Sequence, residues 1–353
     1  MFIFIISCIP QVPVEKISDD NTETSSQAPY ALVTTASYSD GIGALATVDL
    51  ETLQTADNLT QNIHSDAVSS IVGDQVYQLN RLGMDSIRIY DWGNWNEPKV
   101  EWPLGESSNP HDVERCAEKL FFSLYQSPYL PVYSEEGVLI HNIDLRDFVH
   151  LEDLDGSPEA SAMISEGDQL FVSLNQLQAD VDFSPSGMGT ILQLDCETYE
   201  IVRSWETPPN PSLYRHSQRS SILVLSGSYG NRDGAIQILD IDTHQLHEPS
   251  LYSEELDSWF FGAATSSSNQ TLLLGYDETQ FESILFCGSL ETGEFEEIQR
   301  SNLFFAHVNA FENTGYLATS EGIWLYDIDT CTRVDDVVIS FQLSPSHISF
   351  YTP

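Results

Sequence analysis

One pattern of apolar and polar positions recurs seven times along the 353-residue chain. Each copy reads as an apolar strand running into a polar turn: Leu45 to Thr52, Ile87 to Gly93, Ile140 to Asp147, Ile191 to Thr198, Ile236 to Thr243, Leu285 to Thr292 and Ile323 to Thr330. The shared anchor is Asp49, Asp91, Asp144, Asp195, Asp240, Ser289 and Asp327, with successive gaps of 42, 53, 51, 45, 49 and 38 residues. An aliphatic residue stands four places before the anchor in every copy, an apolar residue just after it, and Thr three places after it in five copies. Strands of this kind at this spacing fit four-stranded β-propeller blades. The aliphatic residue is expected to face an adjacent blade, and the Asp or Thr to cap the turn that leaves the strand. The anchor aspartates are therefore assigned to structure rather than to chemistry.

The remaining strands fall into place around the anchors. In the fourth copy an inner strand is predicted near Glu159 to Ser165, followed by Gln169 to Leu174, the anchor strand, and Ile201 to Trp205. Pro110, Pro158 and Pro211 punctuate the approach to inner strands, where no ladder N–H is required. At Tyr30 the first blade opens directly with a second-strand pattern, so it lacks an inner strand. After the last complete blade, Ser344 to Phe350 repeats the Pro-led inner-strand pattern. The fold class predicted is all-β: a seven-bladed β-propeller whose C-terminal strand completes the first blade and so removes the open edges of a linear array. The domain limits are a truncated signal/lipobox segment at 1–8, a flexible acidic Ser/Thr/Pro tether at 9–29 and the propeller at 30–353.

Charge narrows the class of partner. Asp and Glu number 54 against 13 Lys and Arg, a formal net charge of −41, and the lysines are only Lys16, Lys99 and Lys119. Such a chain repels phosphate backbones and anionic headgroups, which excludes nucleic acid as a partner. Near the N-terminus, Ile5-Ile6-Ser7-Cys8 resembles a bacterial lipobox, although no Lys or Arg precedes it as a signal peptide requires. Lipidation of Cys8 would be the sole attachment to a membrane, since no stretch of 18 apolar residues occurs. Cys116, Cys196, Cys287 and Cys331 allow two disulfides with three alternative pairings, or free buried thiols.

The chain resembles the YVTN-type β-propeller repeat proteins, and among them uncharacterised propeller lipoproteins of myxobacteria and related bacteria. The resemblance rests on Asn109-Pro110-His111-Asp112-Val113, Leu120 to Ser123, Ile143-Asp144-Leu145, Leu154 to Glu159, Gln169 to Leu177 and Asn210-Pro211. It implies a propeller located in the bacterial cell envelope or outside the cell. It implies no activity and no catalytic residues.

Candidate chemistry gathers where inner strands begin. Five of the seven carry a histidine at or near that point, His64, His111, His216, His307 and His347, with Asp112 and Glu159 beside them. Together these seven residues are a candidate binding constellation at the channel mouth; a ring of imidazoles and carboxylates there could hold a metal or an anion, according to protonation. Asp153-Leu154-Asp155-Gly156 with Glu159 superficially resembles part of a calcium loop. It lacks the further ligands of an EF-hand, and a long turn between blades three and four accounts for it. No GxSxG, HExxH, P-loop or dinucleotide motif occurs. The expectation is a monomeric, envelope-tethered, non-enzymatic module that binds a protein, glycan or cation and needs no cofactor, a divalent cation being the one candidate. The alternative is a metal-assisted hydrolase of lactonase type with its site at the channel mouth. A quinone-binding redox propeller is a third reading, without a ligand signature.

Overall fold

The computed structural model describes residues 28–353 apart from 61–62, 179–180, 217–219 and 230. Cys8 and nearly all of the tether lie outside the described residues. Seven antiparallel sheets form a ring. From the channel outwards, blade two comprises Val68–Val72, Gln75–Asn80, Ser86–Asp91 and Val100–Pro103, and blade four Ala160–Glu166, Gln169–Leu174, Gly189–Asp195 and Ile201–Thr207. The inner strands of blades three, five, six and seven are Pro110–Cys116, Ser212–Arg215, Trp259–Thr265 and Phe305–Phe311. Blade one takes its inner strand, Ser344–Tyr351, from the C-terminus; it pairs antiparallel with Tyr30–Ser37, placing Val33 opposite Ile348 and Thr34 opposite His347. Tyr351 then stacks on Trp92 of blade two with ring centroids 4.0 Å apart, so the closing strand also reaches the next blade.

The core consists of seven separate apolar clusters, one at each contact between consecutive blades. This arrangement explains why the strands are apolar on both faces: successive side chains point to opposite sides of a blade and meet different neighbours. In blade three Phe121 packs towards blade four while Phe122 packs towards blade two. The sevenfold pattern follows the same logic. Leu45, Ile87, Ile191, Ile236, Leu285 and Ile323 each enter the cluster with the following blade. Five places on and so on the opposite face, Leu50, Trp92, Cys196, Ile241, Leu290 and Ile328 join the cluster with the preceding one. The anchors end their strands and cap turns as expected. Asp195 accepts from the Thr198 amide at 2.8 Å and its hydroxyl at 3.1 Å, and Asp49, Asp240 and Asp327 accept from the amides of Thr52, Thr243 and Thr330.

Blade three departs from the repeat. Its third strand is Tyr129–Tyr133, and the copy at Ile140 to Asp147 falls on the outermost strand, Leu139–Asp144, where Ile140 is 46% exposed. The neighbour-facing role goes instead to Leu130 and Val132, which pack towards blade four. The third strand lacks an Asp-capped turn because a hairpin turn through Ser134 and Gly137 follows it. Gly137 has a φ of 78°, suited to a residue without Cβ.

The four cysteines in the described residues form Cys116–Cys196 and Cys287–Cys331. Each bond joins neighbouring blades, three to four and six to seven, at the end of the ring where inner strands finish and third strands turn.

Candidate functional site

Antiparallel order within each blade fixes which segments share a face. Inner strands begin, second strands end, and connectors between blades arrive on one side of the ring, the entry face. Several inner strands carry a register shift near that end: His111 is the extra residue opposite Ser123–Leu124, and Ser346 the extra residue opposite Thr34–Thr35. Bulges of this kind bend a strand locally and re-aim the side chain they carry.

The central channel holds a cavity of about 580 Å³, and His111, Asp112, His307 and His347 line it. The sequence pattern missed the residue that organises its mouth. Arg81 follows the second strand of blade two and reaches across the channel edge, where its Nη2 donates to His111 Nε2 at 2.7 Å and its Nε lies 3.3 Å from Asp66 Oδ2. A search confined to inner strands could not find it; the available signal was a rare cation in a strongly acidic chain, placed just after a second strand. Because a guanidinium only donates, His111 Nε2 must accept, which places the ring proton on Nδ1, 3.4 Å from Ser161 Oγ. The ring also stacks on Tyr125 at 4.1 Å. Burial and the Arg81 charge hold His111 well below the ordinary imidazole range.

His307 and His347 form a second pair, with ring centroids 4.3 Å apart. His307 Nδ1 accepts from the Ile348 amide, while His347 Nδ1 is buried with no hydrogen-bond partner. Burial, and secondarily the Arg81 charge, lower the pKa of His347 to about 4. Burial followed by His347 itself pushes His307 down. The mouth is therefore a set of neutral imidazoles around one guanidinium.

Deeper in the channel Asp112 acts as a clamp between blades. Its Oδ1 accepts from the Val113 amide at 2.8 Å and from Ser70 at 3.3 Å, and its Oδ2 from Met163 N in blade four at 2.8 Å. Burial and nearby Glu114 raise its pKa to about 7. Asn309 solves the same problem without charge, accepting from the Ala310 amide and donating to the Ile348 carbonyl in blade one.

The remaining candidates lie elsewhere. His64 sits before blade two on Ile63–His64, where its Nδ1 accepts from the Asp66 amide; it positions the partner of Arg81 rather than lining the cavity. His216 follows Ser212–Arg215 and so lies at the opposite end of the ring, with Ser221 Oγ 3.0 Å away. It was misplaced because the inner strand of blade five runs ahead of it, not behind it. Glu159 precedes the inner strand of blade four with a φ of 49° and is fully buried outside the channel; its Oε2 accepts from the Leu177 amide at 2.7 Å. Its carboxylate lies with Asp153 and Asp155, one oxygen from each falling within 4.8 Å of the others, the only such grouping of three metal-capable side chains among the described residues. Five histidines distributed over five blades are thus not brought onto one point.

No family model matches the chain, and no curated protein matches it in sequence. Solved propellers match it in shape. A protein from Lactobacillus plantarum superposes with a TM-score of 0.64 at 11% identity, over 92% of this chain and 99% of that one. A candidate 6-phosphogluconolactonase from Bacteroides fragilis gives 0.60 at 11%, over 94% and 100%. The β-propeller domain of Cps50 (Swd1) from Myceliophteria thermophila gives 0.58 at 14%, over 85% and 97%. At these identities the likeness is one of fold.

Proposed function

We propose that this chain is a non-enzymatic recognition module of the cell envelope that seats a hydrogen-bond-acceptor group, a carboxylate or carbonyl of a protein or glycan partner, at the entry-face mouth beside Arg81, His111, His307 and His347. The observation that carries this reading is a cavity of about 580 Å³ lined by Arg81 and by the neutral imidazoles of His111, His307 and His347, the last with a buried Nδ1 that has no partner within the protein. Buried polar atoms are ordinarily satisfied, and a cavity of this size lined by polar side chains holds ordered water or a ligand. A propeller suits recognition because it holds loops from every blade on one rigid face. The two disulfides, the acidic surface, the lipobox-like Ile5 to Cys8 and the resemblance to YVTN-type lipoproteins all support an oxidising, envelope location with Cys8 as anchor.

The enzymatic alternative has less support. Ser161 and His111 are within reach of each other, but a general base needs a carboxylate or carbonyl behind it, and His111 has a guanidinium. That cation makes the ring a poorer base. The hydrolase of lactonase type would also need carboxylates and His converging on one ion, whereas no histidine joins the grouping of Asp153, Asp155 and Glu159. A thermal-shift series with succinate, N-acetylglucosamine and peptides ending in glutamate tests the reading. Stabilisation by at least one probe that disappears in Arg81→Gln is expected, together with no lactone opening. Lactone turnover lost in His111→Ala, or indifference of the wild type to every probe, would overturn it.

A further inference from the structure

The connector between blades three and four carries a second site. After Leu139–Asp144 the chain forms a short 3-10 helix, Arg146–Phe148, and then turns through Asp153 and Asp155 to Glu159. This connector packs on the loop that follows Gln169–Leu174, with His150 Nε2 3.0 Å from the Met188 carbonyl oxygen and Gln176 Nε2 donating to the Phe148 carbonyl at 2.9 Å. Three carboxylates thereby meet where two loops cross.

Two of the three carboxylates are divided in the same way. Asp153 uses Oδ1 to accept from the amides of Asp155 and Gly156 at 2.9 and 3.2 Å, and leaves a buried Oδ2 without a partner. Glu159, 0% exposed, uses Oε2 for the Leu177 amide and leaves Oε1 without a partner. Its carboxyl lies against that of Asp155. A fully buried carboxylate oxygen with no donor is costly, and a second and third carboxylate beside it raise that cost. The protein offers these oxygens no donor; a cation would supply the missing partner. Two oxygens bound to one calcium ion at about 2.4 Å can be no more than about twice that distance apart, and one oxygen from each of the three side chains lies within 4.8 Å of the other two. The donors are all oxygens, without His or Cys, which selects a hard cation. The rest of a calcium shell would come from backbone carbonyls and water, as a flexible loop permits, whereas magnesium demands a near-ideal octahedron.

We propose that Asp153, Asp155 and Glu159 bind one calcium ion, which fastens the connector between blades three and four to the loop at Leu177. All three residues stand in the calcium-loop-like segment of the sequence, whose spacing is not that of an EF-hand; what the fold adds is the burial of Glu159 and the approach of the three carboxylates. Without an ion, burial first and then the neighbouring carboxylates push the Glu159 carboxyl up to about 9.

The test is calorimetric titration of calcium chloride into the chelator-treated full chain in about 0.15 M salt, where surface attraction is screened. One saturable site and a raised Tm are expected. Glu159→Gln and Asp155→Asn should each weaken binding at least about tenfold. Asp155 is partly exposed, so its variant reads the site even if Glu159→Gln folds poorly. No saturable binding at millimolar calcium, affinity unchanged in both variants, or an equal Tm rise with magnesium would overturn the assignment. The site uses no channel residue, so its failure leaves the recognition reading standing, and the converse holds.

Discussion

His347 shows how one side chain can be both structural and exposed to consequence. It sits in the strand that closes the ring, stacks near His307 and feels the charge of Arg81. Its folded pKa of about 4 lies below the ordinary imidazole value. The unfolded chain therefore binds more protons between those two values, and the stability contributed by neutral His347 is complete above pH 6.5 and lost as pH falls towards 4. His347→Gln should flatten the fall in Tm across that window relative to wild type, by the equivalent of about 1–2 kcal/mol once cavity water is allowed for. A wild-type slope retained in the variant would place the acid sensitivity elsewhere. At this scale the sequence was informative about type and silent about partner. The histidines were visible in the sequence, but the Arg81–His111 contact joins residues on different blades and depends on a bulge that re-aims one ring.

At the scale of single strands, the closing strand is held mainly by packing. Ile348 is fully buried in the cluster between blades seven and one, alongside Ile323 and Ala318. Ile348→Ala should cost about 2–4 kcal/mol in equilibrium denaturation, because the ring leaves little room for collapse onto the cavity. Val334, 38% exposed on the outer strand Thr332–Ile339, provides the control, and Val334→Ala should stay within about 0.5 kcal/mol. Equal effects would mean that the tail does not lock the ring. Strand positions were legible wherever both faces of a blade are buried, since the alternation then repeats in apolar residues. Blade three misled because its outermost strand, Leu139–Asp144, carries the same local pattern as a third strand, including the terminal Asp. Only exposure of Leu139 and Ile140 separates the two roles, and exposure is not a local property.

Across the whole molecule, stability is spread over seven similar interfaces with two covalent staples. Cys116–Cys196 spans 80 residues and Cys287–Cys331 spans 44, so both constrain long stretches of the unfolded chain. Removing either pair by Cys→Ser substitution should cost about 2–4 kcal/mol, the longer bridge somewhat more. The same bonds test location. Alkylation of protein from its native source should leave all four cysteines unmodified until a reductant is added, with lipid found on Cys8. Free thiols in native material would remove the support that the disulfides give to an envelope address.

What the chain determined by itself was the repeat, the count of blades and the exchange of the last strand. These follow from short-range patterning, because each blade meets its neighbours through the same few positions and an unpaired first blade leaves a recognisable gap. What only the tertiary structure decided was the pairing of cysteines, the reach of Arg81 to His111, the placement of His216 at the far end and the gathering of Asp153, Asp155 and Glu159. Each depends on which loop of one blade lies over which loop of the next. That geometry is set by the packing of whole sheets and leaves no periodic trace in the residues that come to share a site.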